Sequence, residues 1–157
     1  MKTVIFGDSL LTGLNWRLLK CWTDNQAISG IEISDIADKI QQYDYRWVTR
    51  VIFDGGLNDL WHDKDIEDIL SAYQRAFAAI PGSISAIALG ILPVNRAMVS
   101  TRVANGIQIV NYRIKWMCPR NIKYLAVKMP SYHLVDGHHL TRDGLKFLAE
   151  QIRNDNS

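Results

Sequence analysis

The sequence predicts an α/β fold, a three-layer α/β/α sandwich on a five-stranded parallel sheet, formed by residues 1–157 as a single domain. Three observations lead there. Short runs rich in β-branched and aromatic residues alternate with stretches whose apolar residues recur at helical spacing, the pattern of strand-helix units in a parallel sheet. One run, Ile84 to Leu92, is apolar almost throughout, as a strand covered on both faces must be. Glycine, asparagine, aspartate or proline punctuates the strand ends, so turns fall there.

In chain order, Thr3-Val4-Ile5-Phe6 reads as a buried first strand that stops at Gly7-Asp8-Ser9-Leu10. Leu11, Leu14, Leu18 and Trp22 then recur at helical spacing, predicting a helix over Thr12 to Lys20, and Gln26 to Gly30 reads as a short second strand. Ile33, Ile36, Ala37 and Ile40 mark a second helix, and Trp47 to Phe53 a third strand closing on Asp54-Gly55-Gly56-Leu57-Asn58-Asp59. The clearest helix follows, with Asp63, Asp65, Glu67 and Asp68 where its macrodipole is positive and an apolar face from Ile66 to Ile80. Pro81-Gly82 ends it, and Pro93 ends the fourth strand. Arg102 to Met117 is the next helix, Ile122 to Val127 the fifth strand, and Met129 to Leu140 a loop long enough to be functional. Thr141 is positioned to cap a last helix carrying Leu145, Leu148, Ala149 and Ile152. Trp16, Trp22, Trp47 and Trp116 are expected in the core or half-buried.

Composition narrows the function classes. The 157 residues suit one domain with one sizeable core, and 22% charged with 48% apolar residues is ordinary for a globular protein. Net charge is +2 with lysines and arginines scattered, so no nucleic acid partner is expected; no membrane span is expected either. The first strand begins too early for an export signal to precede it, so the expected location is cytoplasmic, with export by another route left open. Cys21 and Cys118 lack metal spacing and read as small apolar filler.

Ligands of open parallel sheets bind beyond the carboxyl ends of the strands. Ser9 lies at such an end, and Gly7 permits the sharp exit an exposed hydroxyl needs. Asp136-Gly137-His138-His139-Leu140 supplies a base and a carboxylate three residues apart, the two partners a hydroxyl nucleophile requires.

Four blocks in this order resemble those of the SGNH or GDSL hydrolases over nearly the whole chain: Gly7-Asp8-Ser9-Leu10, Ser29-Gly30, Gly56-Leu57-Asn58-Asp59 and Asp136 to Thr141. Each block alone is an ordinary turn; the ordered set is specific. The resemblance implies a flavodoxin-like sandwich and a serine esterase without cofactor or metal. Ser9 is then the nucleophile, His139 the base and Asp136 its orienting carboxylate, with Ser9 N–H, Gly30 N–H and the Asn58 amide forming an oxyanion hole. Such donors match the chemistry, because ester cleavage passes through a tetrahedral intermediate whose oxyanion needs preplaced partners. Family spacing favours His139 over His138, whose slot is usually aliphatic. Trp61, Asn95, Arg96 and His138 are further candidates for contact with substrate, each with a bland alternative in packing or solvation. Asp8 and Asp59 read as turn-stabilising carboxylates.

Five strand-helix units use nearly all the length and leave no insertion for a lid or deep tunnel. Short acyl groups are therefore expected, first an acetyl ester on a decorated carbohydrate, second a thioester or lysophospholipid. The substrate the resemblance implies is a small acyl ester, and nothing in the sequence indicates an oligomeric state. From other classes, Asp8, Asp54 and Lys128 also suit the phosphoacceptor site of a receiver domain, and Ser9 to Gly13 a flavin-phosphate loop. A non-catalytic carbohydrate-binding relative would keep the fold alone. A metal site on His133, His138, His139 and Asp136 lacks a recognised spacing.

Overall fold

A computed structural model describes residues 1–136 and 139–155. Five strands form one parallel sheet: β1 (Lys2–Phe6), β2 (Trp22–Asn25), β3 (Val48–Phe53), β4 (Ser85–Leu89) and β5 (Ile122–Leu125), in the order β2-β1-β3-β4-β5. The helices are α1 (Trp16–Leu19), α2 (Ile33–Gln42), α3 (Leu57–Trp61), α4 (Ile66–Ala79), α5 (Thr101–Met117) and α6 (Arg142–Asn154). α1 packs on α6, while α2 packs on α4 and α5 on both α3 and α4. Right-handed crossovers place these two groups on opposite faces of the sheet, which gives the three layers.

Burial explains the strands that were legible. Val51, Ile52, Phe53 and Ala86 to Leu89 are buried, so both faces of the central strands are apolar. Chain order reverses on either side of β1, and the crevice beyond β1 and β3 is the switch point where such sheets take ligands.

The structure corrects two boundaries near the amino terminus. The second strand is Trp22–Asn25, not Gln26 to Gly30, because an edge strand is covered on one side only and tolerates Thr23, Asp24 and Asn25. Gln26 N–H still donates to Ile5 O (2.8 Å) and Ile28 N–H to Gly7 O (2.9 Å), carrying the pairing past the regular strand. The first helix is one turn, Trp16–Leu19, capped by Asn15, whose side chain accepts from Arg17 and Leu18 N–H. Residues 8–14 instead form consecutive turns that bury Leu10, Leu11 and Leu14.

Another departure is α3, a short helix inside the stretch that reads as a glycine turn; it starts at Gly56, whose φ is +106°. A Cβ there would stand 3.1 Å from Ile91 Cδ1, so conformation and space both favour glycine. Trp16, Trp22, Trp47 and Trp116 are exposed, contrary to expectation. Trp22 begins the edge strand, with the Lys2 ammonium over its ring, and Trp47 has a left-handed backbone just ahead of β3. Cys21 and Cys118 are free and half-buried, and burial pushes the Cys118 thiol up to about 11.

Candidate active site

The turn after β1 is held from both sides. Asp8 N–H donates to Asp54 Oδ1 (3.2 Å) and Leu10 N–H to Asp8 Oδ1 (2.9 Å). Thr12 Oγ1 donates to Ser9 O (3.0 Å). A Cβ at Gly7 would fall 2.2 Å from Asp54 Oδ1, so the chain passes β3 at a distance only glycine allows. Ser9 is half-buried at the top of this turn. Asn25 Nδ2 donates to Leu11 O and Leu14 O, both at 2.8 Å, and fastens the rest of the turn to β2.

Gly30 closes the segment after β2, exposed and with φ at +80°. The neighbouring Ile31 carbonyl accepts from Asn58 Nδ2 (2.9 Å), which joins this segment to α3. Asp59 Oδ2 accepts from Ile33 N–H (3.0 Å), so Asp59 stabilises the start of α2 as well as bonding its own backbone N–H. Burial pushes the Asp59 carboxyl above the usual range, and the Ile33 N–H works against that shift. Among the described residues no protein group accepts the N–H of Ser9 or of Gly30, and Asn58 keeps a second amide hydrogen beyond the one given to Ile31.

The loop before α6 has its own frame. Leu134 and Leu140 form an antiparallel bridge, with Val135 N–H to His139 O and Thr141 N–H to His133 O, each 2.7 Å. Within it Asp136 Oδ2 lies 2.5 Å from His139 Nδ1, and Asp136 Oδ1 accepts from His139 N–H (2.8 Å). Both carboxylate oxygens thus fix one histidine, turning its Nε2 edge away from the carboxylate. Thr141 caps α6 as expected, its hydroxyl accepting from Gly144 N–H (3.0 Å). α6 meets the nucleophile turn directly, since a Cβ on Gly13 would lie 2.5 Å from Leu145 Cδ2. The loops bearing Ser9, Gly30, Asn58 and His139 therefore all rise from the carboxyl edge of the sheet.

The remaining candidates fare differently. Trp61 ends α3 and is 42% exposed, on the element that carries Asn58. Asn95 Oδ1 accepts from Ala97 N–H (3.0 Å), a turn role. Arg96 donates to Asn105 Oδ1 (3.3 Å) and borders a cavity of about 200 Å³ with Val94, Asn111 and Tyr124; Ser9 is not part of its lining. His138 lies outside the described residues. His133 packs its ring on Phe147 and Tyr132, and His62 lies 3.8 Å from Glu32 at the surface. Among the described residues no group of three or more His, Cys, Asp or Glu side chains is arranged to hold a metal ion, and no helix is long and apolar enough to cross a membrane. Asn25 and Asp54 are the structural contributors that motif reading did not assign to the nucleophile turn.

The sheet order and layering are those of the α/β fold found in solved structures described as a GDSL-like lipase and a lipolytic protein of the G-D-S-L family. Among solved structures, a candidate platelet activating factor from Streptococcus pneumonia matches with a TM-score of 0.86 at 18% identity, over 98% of this chain and 82% of that one. A lipase/acylhydrolase from Enterococcus faecalis matches at 0.79 and 16% identity, over 98% and 94%. The family 3 carbohydrate esterase of Clostridium thermocellum matches at 0.70 and 16%, over 98% and 94%. No protein-family model and no curated protein sequence matches the chain.

Proposed function

We propose that this protein is a serine esterase, with Ser9, His139 and Asp136 as its triad. The observation that carries the reading is the double engagement of His139 by Asp136 on a loop at the same sheet edge as the Ser9 turn. A carboxylate on Nδ1 fixes the tautomer in which Nε2 accepts a proton, and it stabilises the imidazolium formed during attack. Ser9 Oγ adds to the acyl carbon as His139 takes its proton. The carbonyl oxygen becomes an oxyanion, received by Ser9 N–H, Gly30 N–H and the spare hydrogen of Asn58. Collapse expels the alcohol, protonated by His139, and leaves the acyl group on Ser9. Water, deprotonated by His139, then releases the acid.

The family 3 carbohydrate esterase and the lipase/acylhydrolase of like fold support ester chemistry in general. Among the described residues no further helix or strand pair is inserted above the site, which favours a small acyl group, first an acetyl ester on a decorated carbohydrate. A thioester or lysophospholipid is the second reading. The receiver alternative fares worse: Asp54 is 3% exposed and accepts the Asp8 N–H, whereas a phosphoacceptor must meet its donor in solution. Lys128 is exposed and its backbone is bonded to Gln151 on α6.

The test is hydrolysis of activated esters from acetyl to long chains by the wild type and by Ser9→Ala, His139→Ala and His138→Ala. Loss of activity in Ser9→Ala and His139→Ala with retention in His138→Ala is expected. Loss only in His138→Ala would assign the base to the wrong histidine, and magnesium-dependent labelling of Asp54 by a small phosphodonor would favour the receiver reading.

A further inference from the structure

The proposed mechanism makes no use of Asp54, yet its carboxyl lies against the turn that carries the nucleophile, bonded to the residue before Ser9. It follows Phe53, the last residue of β3, which pairs with Phe6, the last of β1. Its Oδ1 accepts the peptide N–H of Asp8, the residue before Ser9, and occupies the space a Cβ on Gly7 would need. The next peptide is fixed as well, because Tyr73 Oη donates to Gly55 O (2.6 Å) from α4. Asp8 is also buried, and its Oδ1 holds Leu10 N–H on the far side of Ser9. Two buried carboxyl groups thus bracket the turn, one at the amide before Ser9 and one at the amide after it.

A buried acid beside a second acid is an expensive way to build a turn. Burial first, and the Asp8 carboxyl second, push Asp54 well above the usual carboxylate range. Asp8 is the titratable group whose charge acts on Asp54, burial and then the two carboxyls in turn push the Tyr73 hydroxyl up, and Asp54 has no ion-pair partner among the described residues. An ordinary strand-end turn needs no such group.

We propose that Asp54 is a positioning residue for Ser9, setting the nucleophile turn through the peptide N–H of Asp8. The inference rests on Ser9 being the nucleophile. What the turn requires of Asp54 is its acceptor oxygen, which an asparagine presents in the same place without a charge. A turn released from this bond moves Ser9 relative to the base and the oxyanion donors, a displacement that acts on turnover more than on substrate capture.

The experiment follows phosphonylation of Ser9 by a fluorophosphonate, together with kcat and KM on an activated acetyl ester, in wild type, Asp54→Ala, Asp54→Ser and Asp54→Asn. In the labelling step Ser9 Oγ bonds to phosphorus, fluoride leaves and the serine proton passes to the base. Melting curves set an assay temperature at which every variant is folded; Asp54→Ser keeps a polar group but is too short for the Asp8 N–H, and serves if Asp54→Ala does not fold. Expected is a roughly 10- to 100-fold loss of labelling rate and kcat in Asp54→Ala and Asp54→Ser, with KM within about twofold. Asp54→Asn should restore both rates to within about threefold of wild type. Wild-type rates in the folded Asp54→Ala or Asp54→Ser proteins, or an Asp54→Asn as slow as they are, would overturn the positioning role. A wild type that takes no label at Ser9 would instead remove the nucleophile assignment.

Discussion

Asn58 donates its side-chain amide to the carbonyl of Ile31, 2.9 Å away, and so fixes the position of its own second hydrogen relative to Gly30. One side chain therefore both joins two strand-end loops and offers a donor to the site. Replacing Asn58 with alanine is expected to lower kcat about 100- to 1,000-fold with little change in KM. It should also reduce stability by about 1 kcal/mol through the lost bond to Ile31. Steady-state kinetics and a urea melt on the same variant check the two effects separately.

Gly30 has φ at +80°, and a Cβ added there would have no atom within 4 Å, so any penalty for a side chain is conformational and not steric. Gly30→Ala is expected to destabilise by about 1–2 kcal/mol. Gly82→Ala is the control, because that site is equally open and lacks a positive φ. Its stability should stay within about 0.5 kcal/mol of wild type or rise slightly. Equal losses at both positions would contradict the strain argument.

Asp136→Asn tests the carboxylate without changing its shape. The amide cannot stabilise an imidazolium at Nδ1, so kcat should fall roughly 100- to 10,000-fold while the melting temperature changes little. Circular dichroism and ester kinetics distinguish this from a loop that unfolds.

Asp54 makes a prediction about stability and pH. Its folded-state pKa is raised, chiefly by burial and then by Asp8. The stability linked to its proton is complete below the unfolded value, near 3.8, and is lost as pH rises through the folded value. Asparagine has no proton to lose. Asp54→Asn should therefore gain stability relative to wild type as pH rises, and the gap should narrow as the solution approaches the ordinary carboxylate range. Thermal melts across a pH series check this, and a gap that widened on acidification would reverse the sign.

The elements legible in the sequence are those whose burial is periodic. β1, β3 and β4 announced themselves through Val4-Ile5-Phe6, Val51-Ile52-Phe53 and Ala86 to Leu89, and α4 through its stripe from Ile66 to Phe77. β2 did not, because Thr23, Asp24 and Asn25 lie on an edge strand where hydrogen bonding, not apolar burial, sets the path. α3 was hidden because its five residues start inside a glycine turn and complete little more than one turn of helix. In the site, the spacing of Asp136 and His139 was readable because three residues suffice for the carboxylate to reach both the ring and its own backbone amide. The clamps made by Asn25 and Asp54 were not, since each joins segments far apart in sequence and neither residue type marks such a role.

The central claim is that acyl transfer passes through the hydroxyl of Ser9. Acid quenching of the enzyme during turnover of an activated acetyl ester, followed by peptide mapping, tests it most directly. The account predicts acetyl on the peptide containing Ser9, absent from Ser9→Ala and accumulating where deacylation is slowed. Turnover with no acylated peptide, or with the acyl group on a different residue, would contradict it.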